Sequence, residues 1–412
     1  MVFTGLASPD TVKHMKRVYE LVLAEHLERE RQMAFLTGPR QVGKTTTART
    51  SAGEHRYFTW DRQADRMILA RGPDAVAADL DLKMLRRERV HVVFDELHKY
   101  AKWKSFLKGF FDVYGGSTRI LVTGSARLGY FRRGGDSLMG RYFLYRMHPL
   151  TLAEVSGAVL REHEIGPPHL ISKDLIKQLI TFGGFPEPFL RGSMRFYSRW
   201  KRLRMELLFR EDLRDLTRIQ EAGQVQVLAE NLAYRAGQLL NYSSLATEVN
   251  VSVDTVCRWL AALEALFYCY TIRPWYRNVP KSLRKQPKVY LWDWSLVPDP
   301  GSRSENFVAS HLMKAAHWWT DIGLGTYDLF FVRDKAKREV DFLVTRNGKP
   351  WLLVEVKSKD RTLAGPLAYF HRCLKTEYAF QVGLDLDYVD RDAFEARAPV
   401  RVPAATLLSQ LV

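Results

Sequence analysis

The chain is short of cysteine, of acid and of long apolar runs. Three cysteines in 412 residues, Cys257, Cys269 and Cys373, are too few for a disulfide framework. They show no metal-ligand spacing and fit a reducing cytoplasm. No run approaches the roughly 20 apolar residues of a membrane span, and Met1 to Lys16 lacks the apolar core of a secretory signal. The expectation is a cytoplasmic protein without a membrane partner. Neither an internal repeat nor a low-complexity tail is present. Acid is scarce: 62 Lys and Arg against 46 Asp and Glu leave a net charge of +16. Such an excess suits a polyanionic partner, with a merely solvated basic surface as the alternative. With 46% hydrophobic residues the chain can bury real cores, and its length suggests two to four domains.

The most informative stretch is Phe35-Leu-Thr-Gly-Pro-Arg-Gln-Val-Gly-Lys-Thr-Thr46. A buried strand, Met33 to Leu36, leads into Gly38-x-x-x-x-Gly43-Lys44-Thr45 and then a helix, the spacing of a phosphate-binding loop. Gly38 and Gly43 permit the tight turns that aim several backbone N–H groups at one anion; between them lie Pro39, which has no N–H to give, and Arg40, Gln41 and Val42. Lys44 can reach the β- and γ-phosphates, and the Thr45 hydroxyl, followed by Thr46, can bind Mg²⁺. The helix offers its positive end. ATP and Mg²⁺ are therefore the expected ligands.

Around this loop, strands alternate with helices: Tyr57–Asp61, Arg89–Asp95, Arg119–Thr123 and Tyr142–Met147 as strands, Asp65–Ala78 and Trp103–Tyr114 as helices. That alternation predicts a parallel sheet covered on both faces. Val92-Val93-Phe94-Asp95-Glu96 has the form of a Walker B strand, with Asp95 for Mg²⁺ and Glu96 as the base that polarises the attacking water. Both carboxylates and the loop then share one sheet edge. Ser125, after the next strand, can sense the γ-phosphate, or else simply form a turn. Arg141, just before the last strand, can serve as an arginine finger in trans, or else as a surface or acid-paired Arg; Arg127, Arg132 and Arg133 compete for that role.

From about Leu150 the pattern turns helical, interrupted at Gly183-Gly-Phe-Pro-Glu-Pro188. Tyr242 to Phe267 forms two short helical units around a turn, the second exposing Ser252, Asp254, Thr255 and Arg258. The next segment carries Arg273, Arg277, Lys281, Arg284, Lys285 and Lys288 with Trp275 and Tyr276 and no acid. Basic side chains interleaved with aromatics suit phosphate contact and base stacking, so DNA is the expected partner here. The helical pair resembles a helix-turn-helix within a winged-helix domain.

Near the C-terminus, Glu339-Val-Asp341 precedes Leu352-Leu-Val-Glu355-Val-Lys357. Glu355 and Lys357 share a strand face, and Asp341 can approach from the neighbouring strand. Asp with Glu can bind a hard divalent metal while the Lys orients water. Glu305, opening the preceding helix, can add a further group. The set Asp341, Glu355 and Lys357 resembles the core motif of restriction-endonuclease-like nucleases; the same trio can equally persist as a satisfied ion network.

Taken in order, Gly-Pro-Arg-Gln-Val-Gly-Lys-Thr-Thr, Val-Phe-Asp-Glu-Leu-His-Lys, Val-Thr-Gly-Ser-Ala, Ser-Leu-x-Gly-Arg with His-Pro-Leu, and Gly-Gly-Phe-Pro resemble a widespread prokaryotic family. Its members join an AAA-type ATPase domain to a C-terminal domain of unknown function. The resemblance implies an α/β fold: an AAA+-like P-loop core over residues 1–150 and a helical lid over 151–220. A winged-helix domain over 221–290 and a restriction-endonuclease-like domain over 291–412 would follow. It carries Walker, sensor and Arg roles onto Lys44, Thr45, Asp95, Glu96, Ser125 and Arg141, with Arg191 and Arg210 as candidates for a second sensor. The implied function is an ATPase acting on DNA, with nuclease activity undecided and a homo-oligomer, a hexameric ring being one form, as partner. A nucleotide-controlled switch is the alternative.

Overall fold

A computed structural model describes residues 15–124, 138–157, 159–216, 219–276, 285–357 and 362–412. Five strands build the N-terminal sheet: β1 (Met33–Thr37), β2 (Arg56–Thr59), β3 (Val90–Asp95), β4 (Thr118–Gly124) and β5 (Tyr142–Arg146). They pair in the order β2-β3-β4-β1-β5, all parallel. Successive side chains on a strand point to opposite faces, and the sequence uses both. Phe35, Phe58, Phe94, Ile120 and Val122 pack under the helices Gln63–Ala70, Pro73–Asp79 and Trp103–Tyr114. Ala34, Leu36, Val93 and Leu121 face the other way, onto Val18–Arg29 and Lys44–Ser51. The parallel sheet with helices on both faces is as the alternation predicted.

The middle is helical: Lys173–Phe182, Pro186–Arg191 and Met194–Leu207, the last running into a π-helical turn, Leu208–Asp212. Three more helices, Ala222–Tyr234, Tyr242–Glu248 and Val253–Ala265, enclose their own core with Trp259 at its centre. Asn241 and Ser252 cap the second and third, accepting from Ser244 N and Thr255 N.

A second sheet has seven strands. The hairpin β6 (Cys269–Pro274) and β7 (Lys288–Leu291) is followed by β8 (Tyr327–Arg333), β9 (Glu339–Arg346), β10 (Lys349–Val356), β11 (Tyr378–Gly383) and β12 (Val400–Pro403). The order is β12-β11-β10-β9-β8-β6-β7. β8, β9 and β10 are antiparallel, whereas β10, β11 and β12 run parallel. β6 pairs with β8 through Arg273 and Pro274. Expected wing and expected nuclease-like domain therefore share one sheet, and no structural break falls between residues 290 and 291. Asn306 closes the β7 edge: its amide accepts from Leu291 N and donates to Leu291 O, both at 2.8 Å.

The long helix Pro300–Asp321 joins the two halves. Pro300 and the Asp299 cap start it, so it begins a full turn before Glu305, which does not open the helix as expected. Trp318 meets Tyr19 edge-on at 5.3 Å. Asp321 accepts from Arg146 N at 2.9 Å and pairs with its guanidinium at 2.6 Å. His311 Nε2 accepts from Leu152 N at 3.0 Å, and His148 Nε2 lies 2.8 Å from His317 Nδ1. Beneath these lies a buried ionic triad. Glu154 accepts from Arg17 at 3.0 Å and pairs with the Lys314 ammonium; all three are 4% exposed or less. Burial alone would raise the Glu154 carboxyl, but Arg17 and Lys314 together bring it to about 2.

Removing one member leaves like charges buried without compensation. Glu154→Ala should therefore cost about 3–5 kcal/mol, read as a lower urea midpoint at unchanged slope. Burial holds His148, His311 and His317 neutral, below the ordinary 6.5. The unfolded chain takes up protons there that the folded chain refuses, so stability is full above that value and falls as pH drops below it. The urea midpoint measured from about pH 8 to about pH 5 should be level first and then decline.

Candidate functional site

The phosphate loop is shaped by contacts that exclude side chains. A Cβ at Gly38 would collide with the Met147 carbonyl, and Gly43 holds φ +105°, which caps the following helix. Gln41 is also left-handed, φ 62°. Lys44 is buried, and its Nζ donates to the loop carbonyls of Gly38 (2.9 Å) and Pro39 (2.7 Å). Burial lowers its pKa to about 8, against the opposing pull of Glu96 and Asp95. Arg40 lines the cleft at this loop and pairs with Asp212 at 3.1 Å and Glu211 at 3.4 Å, on the π-helical turn.

Asp95 ends β3 beside the loop. It accepts hydroxyl hydrogen bonds from Thr45 (3.1 Å), Tyr57 and Thr123. Thr45 and Asp95 thus present two adjacent oxygen donors of the kind Mg²⁺ takes alongside phosphate oxygens, and they fit that ion. Glu96 follows in a left-handed conformation, φ 53°, uncommon for a non-glycine residue and found where structure over-determines it. Burial raises its carboxyl pKa, while Lys44 and Lys99 pull it down. Gln41, Lys44, Thr45, Asp95, Glu96 and Lys99 line one cavity of about 750 Å³, with Pro186, Glu187 and Leu190 on its far wall.

That far wall explains Gly183-Gly184-Phe185-Pro186. Gly183 has φ +77°, and a Cβ there would lie 2.5 Å from Asp293 Oδ1; one on Gly184 would meet Leu150 O at 2.7 Å. The motif is a close crossing that sets Pro186 against the cleft rather than only a turn, and Pro186 starts a short helix. Arg191 and Arg210 are both exposed and do not line the cavity. Arg204 is the nearby guanidinium held in place, 3.8 Å over Phe185 and 3.1 Å from Asp293. Arg141 precedes β5 at the end of the sheet opposite the loop, since Tyr142 registers with Met33 and Arg146 with Thr37. It pairs with Asp112 at 2.7 Å and cannot reach its own chain's phosphates. Ser125, Arg127, Arg132 and Arg133 lie outside the described residues.

Sequence reasoning missed Arg17, Tyr57 and Thr123. Arg17 lines the cavity and donates to Val42 O at 2.8 Å and His148 O at 2.6 Å. No spacing signals it. Tyr57 and Thr123 were legible only as strand residues. Their hydroxyls matter because the parallel register sets β2 and β4 on either side of β3.

The segments match separate family models. Residues 30–156 match an AAA domain. Residues 173–299 and 300–391 match two domains of unknown function, DUF8612 and DUF4143. The AAA-type P-loop core is thus assigned both by that match and by its parallel sheet. An uncharacterized protein of Mycobacterium tuberculosis is 25% identical over 334 residues, 77% of this chain and 69% of that protein, and one of Mycobacterium bovis matches to the same extent. Among solved structures, the Walker-type ATPase of Pyrococcus abyssi superposes with a TM-score of 0.41 at 13% identity, covering 69% of this chain and 95% of that one. AMPPCP-bound DnaA of Aquifex aeolicus gives 0.30 at 12%, covering 59% and 86%.

The expected second site is different. Asp341 and Glu355 do come together: Asp341 N donates to Glu355 at 3.3 Å, and Val356 N donates to Asp341 at 2.9 Å. Lys357 pairs with Glu355 at 2.8 Å. Lys288, expected to face DNA, is instead buried at 3% exposure. Strand pairing of β7 turns it inward, 2.7 Å from Glu339, 3.4 Å from Glu305 and 3.7 Å from Asp341. Burial and then Asp341 raise the Glu355 and Glu305 carboxyls to about 7. Among the described residues no group of three His, Cys, Asp or Glu is arranged to hold a metal ion. As placed, Asp341 and Glu355 do not fit one, because the Lys288 and Lys357 ammonium groups, 3.7 Å and 2.8 Å away respectively, already neutralise them and would repel a metal ion. Of the other basic residues, Arg258 and Lys285 are exposed, and Arg273 is half-buried within β6. Arg277, Lys281 and Arg284 lie outside the described residues. No helix is long and apolar enough to cross a membrane.

Lys44→Ala removes the ammonium seated within the phosphate loop, so binding of a fluorescent ATP analogue should be lost. Arg191→Ala, outside the cavity, should leave it unchanged.

Proposed function

We propose that this chain is a Mg²⁺-dependent ATP hydrolase that uses ATP to bind and remodel DNA or to move along it, branched DNA included. The observation that carries the ATPase half is the convergence of Lys44, Thr45, Asp95 and Glu96 on one cavity. Lys44 exchanges its loop carbonyls for β- and γ-phosphate oxygens. Mg²⁺ held by Thr45 and Asp95 would supply charge neutralisation to the phosphates. Asp95 is kept in orientation by Tyr57 and Thr123. Glu96 takes the proton of the attacking water. Its burial favours the neutral acid, so the base is lost as pH falls through a pKa above the ordinary carboxyl value. Arg141, remote from its own loop, would complete a neighbouring subunit's site, which makes a homo-oligomeric ring part of the reading.

Three helices followed by a hairpin support a winged-helix reading of the middle. Arg258 and Lys285 are exposed there. On the helix Met194–Leu207, Arg195, Arg199 and Arg202 are exposed at helical spacing, a row suited to phosphates. For the C-terminal part, a helix, the antiparallel β8-β9-β10, the helix Gly365–Leu374 and a parallel β11 support a nuclease-like fold. A second reading, a nucleotide-controlled oligomerisation switch with an inert nuclease-like module, is favoured by the Lys288 placement.

Glu96→Gln should bind ATP and hydrolyse it at least about 100-fold more slowly; hydrolysis at the wild-type rate would exclude Glu96 as the base. ATP turnover measured without DNA and with duplex, single-stranded and four-way junction DNA separates the two readings. Stimulation by any DNA supports the first, and equal rates in all four favour the switch.

A further inference from the structure

In the C-terminal cluster, carboxylates from two elements converge on one ammonium. Glu305 comes from the helix Pro300–Asp321, Glu339 and Asp341 from β9. Lys288 reaches them from β7, its side chain 4% exposed, with Nζ at 3.4, 2.7 and 3.7 Å respectively. The ammonium also lies over the Phe331 ring, 5.6 Å from its centroid. The remaining neighbours leave little room. Tyr290 donates to Glu305 at 2.7 Å, Arg333 pairs with Glu339 at 2.8 Å, and a Cβ on Gly237 would lie 3.0 Å from the Glu305 oxygens. The second lysine differs in kind. Lys357 sits at the rim, its side chain 40% exposed, paired with Glu355.

A buried ammonium demands carboxylates, and converging buried carboxylates demand a cation. Mg²⁺ or Mn²⁺ bound by Glu and Asp oxygens would have to lie among the same three carboxylates as Nζ, within a few ångströms of a like charge. The two occupants exclude each other. We propose that Lys288 is the resident cation of this cluster, standing where a divalent metal would otherwise sit. A neutral side chain at 288 then opens a divalent-cation site built from Glu305, Glu339 and Asp341. While Lys288 is seated, the cluster is a closed ion network and does not perform metal-dependent phosphodiester chemistry. This inference is independent of the ATPase reading, because no residue of the phosphate loop enters it.

The test uses the full chain without nucleotide and Mn²⁺ as probe. Binding is followed by titration calorimetry and by the Mn²⁺ dependence of the thermal unfolding midpoint. Lys288→Met should gain one Mn²⁺ per chain and a midpoint that rises with Mn²⁺, and the double variant Lys288→Met/Asp341→Asn should lose both. Wild type and Lys288→Arg should show neither. A Lys288→Met chain too unstable to fold alone but folding when Mn²⁺ is added also supports the proposal. It is overturned if wild type already binds Mn²⁺ in a manner that Asp341→Asn abolishes. It is equally overturned if Lys288→Met gains no site, whether it folds without one or fails to fold even with Mn²⁺.

Discussion

Everything in this molecule leans on one buried carboxylate. Glu154 is held between Arg17 and Lys314, and each of those cations belongs to a different part of the chain. Arg17 begins the first helix and also grips Val42 of the phosphate loop. Lys314 lies in the helix that carries the C-terminal sheet. An ion group this deep gains its stability from geometry, since its desolvation cost is repaid only when every partner is in place. The loop position, the short helix Leu152–Gly157 and the C-terminal helix are therefore settled together. The paired His148 and His317 and the Arg146–Asp321 contact line the same junction, so the ATPase core and the C-terminal third form one continuous hydrophobic interior.

Seen this way, the family segments are units of sequence more than units of structure. Residues 173–299 contribute β6 and β7 to a sheet whose other five strands come from beyond residue 300. The Gly183-Gly184 crossing presses the wall of the nucleotide cleft onto Asp293, a few residues before the long helix. A shift of Pro186 would be felt there first, because packed crossings of this kind have no slack for a side chain.

Much of this was written plainly in the sequence. Strands buried on both faces read as apolar runs, so β1, β3 and β4 were recognisable, and glycine spacing made the loop legible from the sequence alone. Lys44 and Thr45 were identifiable from their place after the second loop glycine, and Asp95 and Glu96 because they end an apolar strand. What stayed hidden were groups whose roles come from distant partners. Arg17 stands in no motif and at no telling spacing. Lys288 looked like the end of a DNA-facing run, because local composition cannot tell which face a strand pairing will bury. Likewise, the break between wing and C-terminal domain followed composition, whereas the β6–β8 pairing that erases it joins residues more than fifty positions apart.

That shared sheet also has a consequence for how the protein comes into being on the ribosome. When the helical middle and the β6–β7 hairpin have emerged, β6 has no partner on its free side, and β5 lacks the helix that covers it. Such surfaces invite pairing with other chains while they wait. Helix Pro300–Asp321 must be synthesised before β5 is covered, and β8 before β6 is paired. Completion of the N-terminal core is thus tied to sequence made much later, a high-contact-order arrangement that favours slow, late-committing folding.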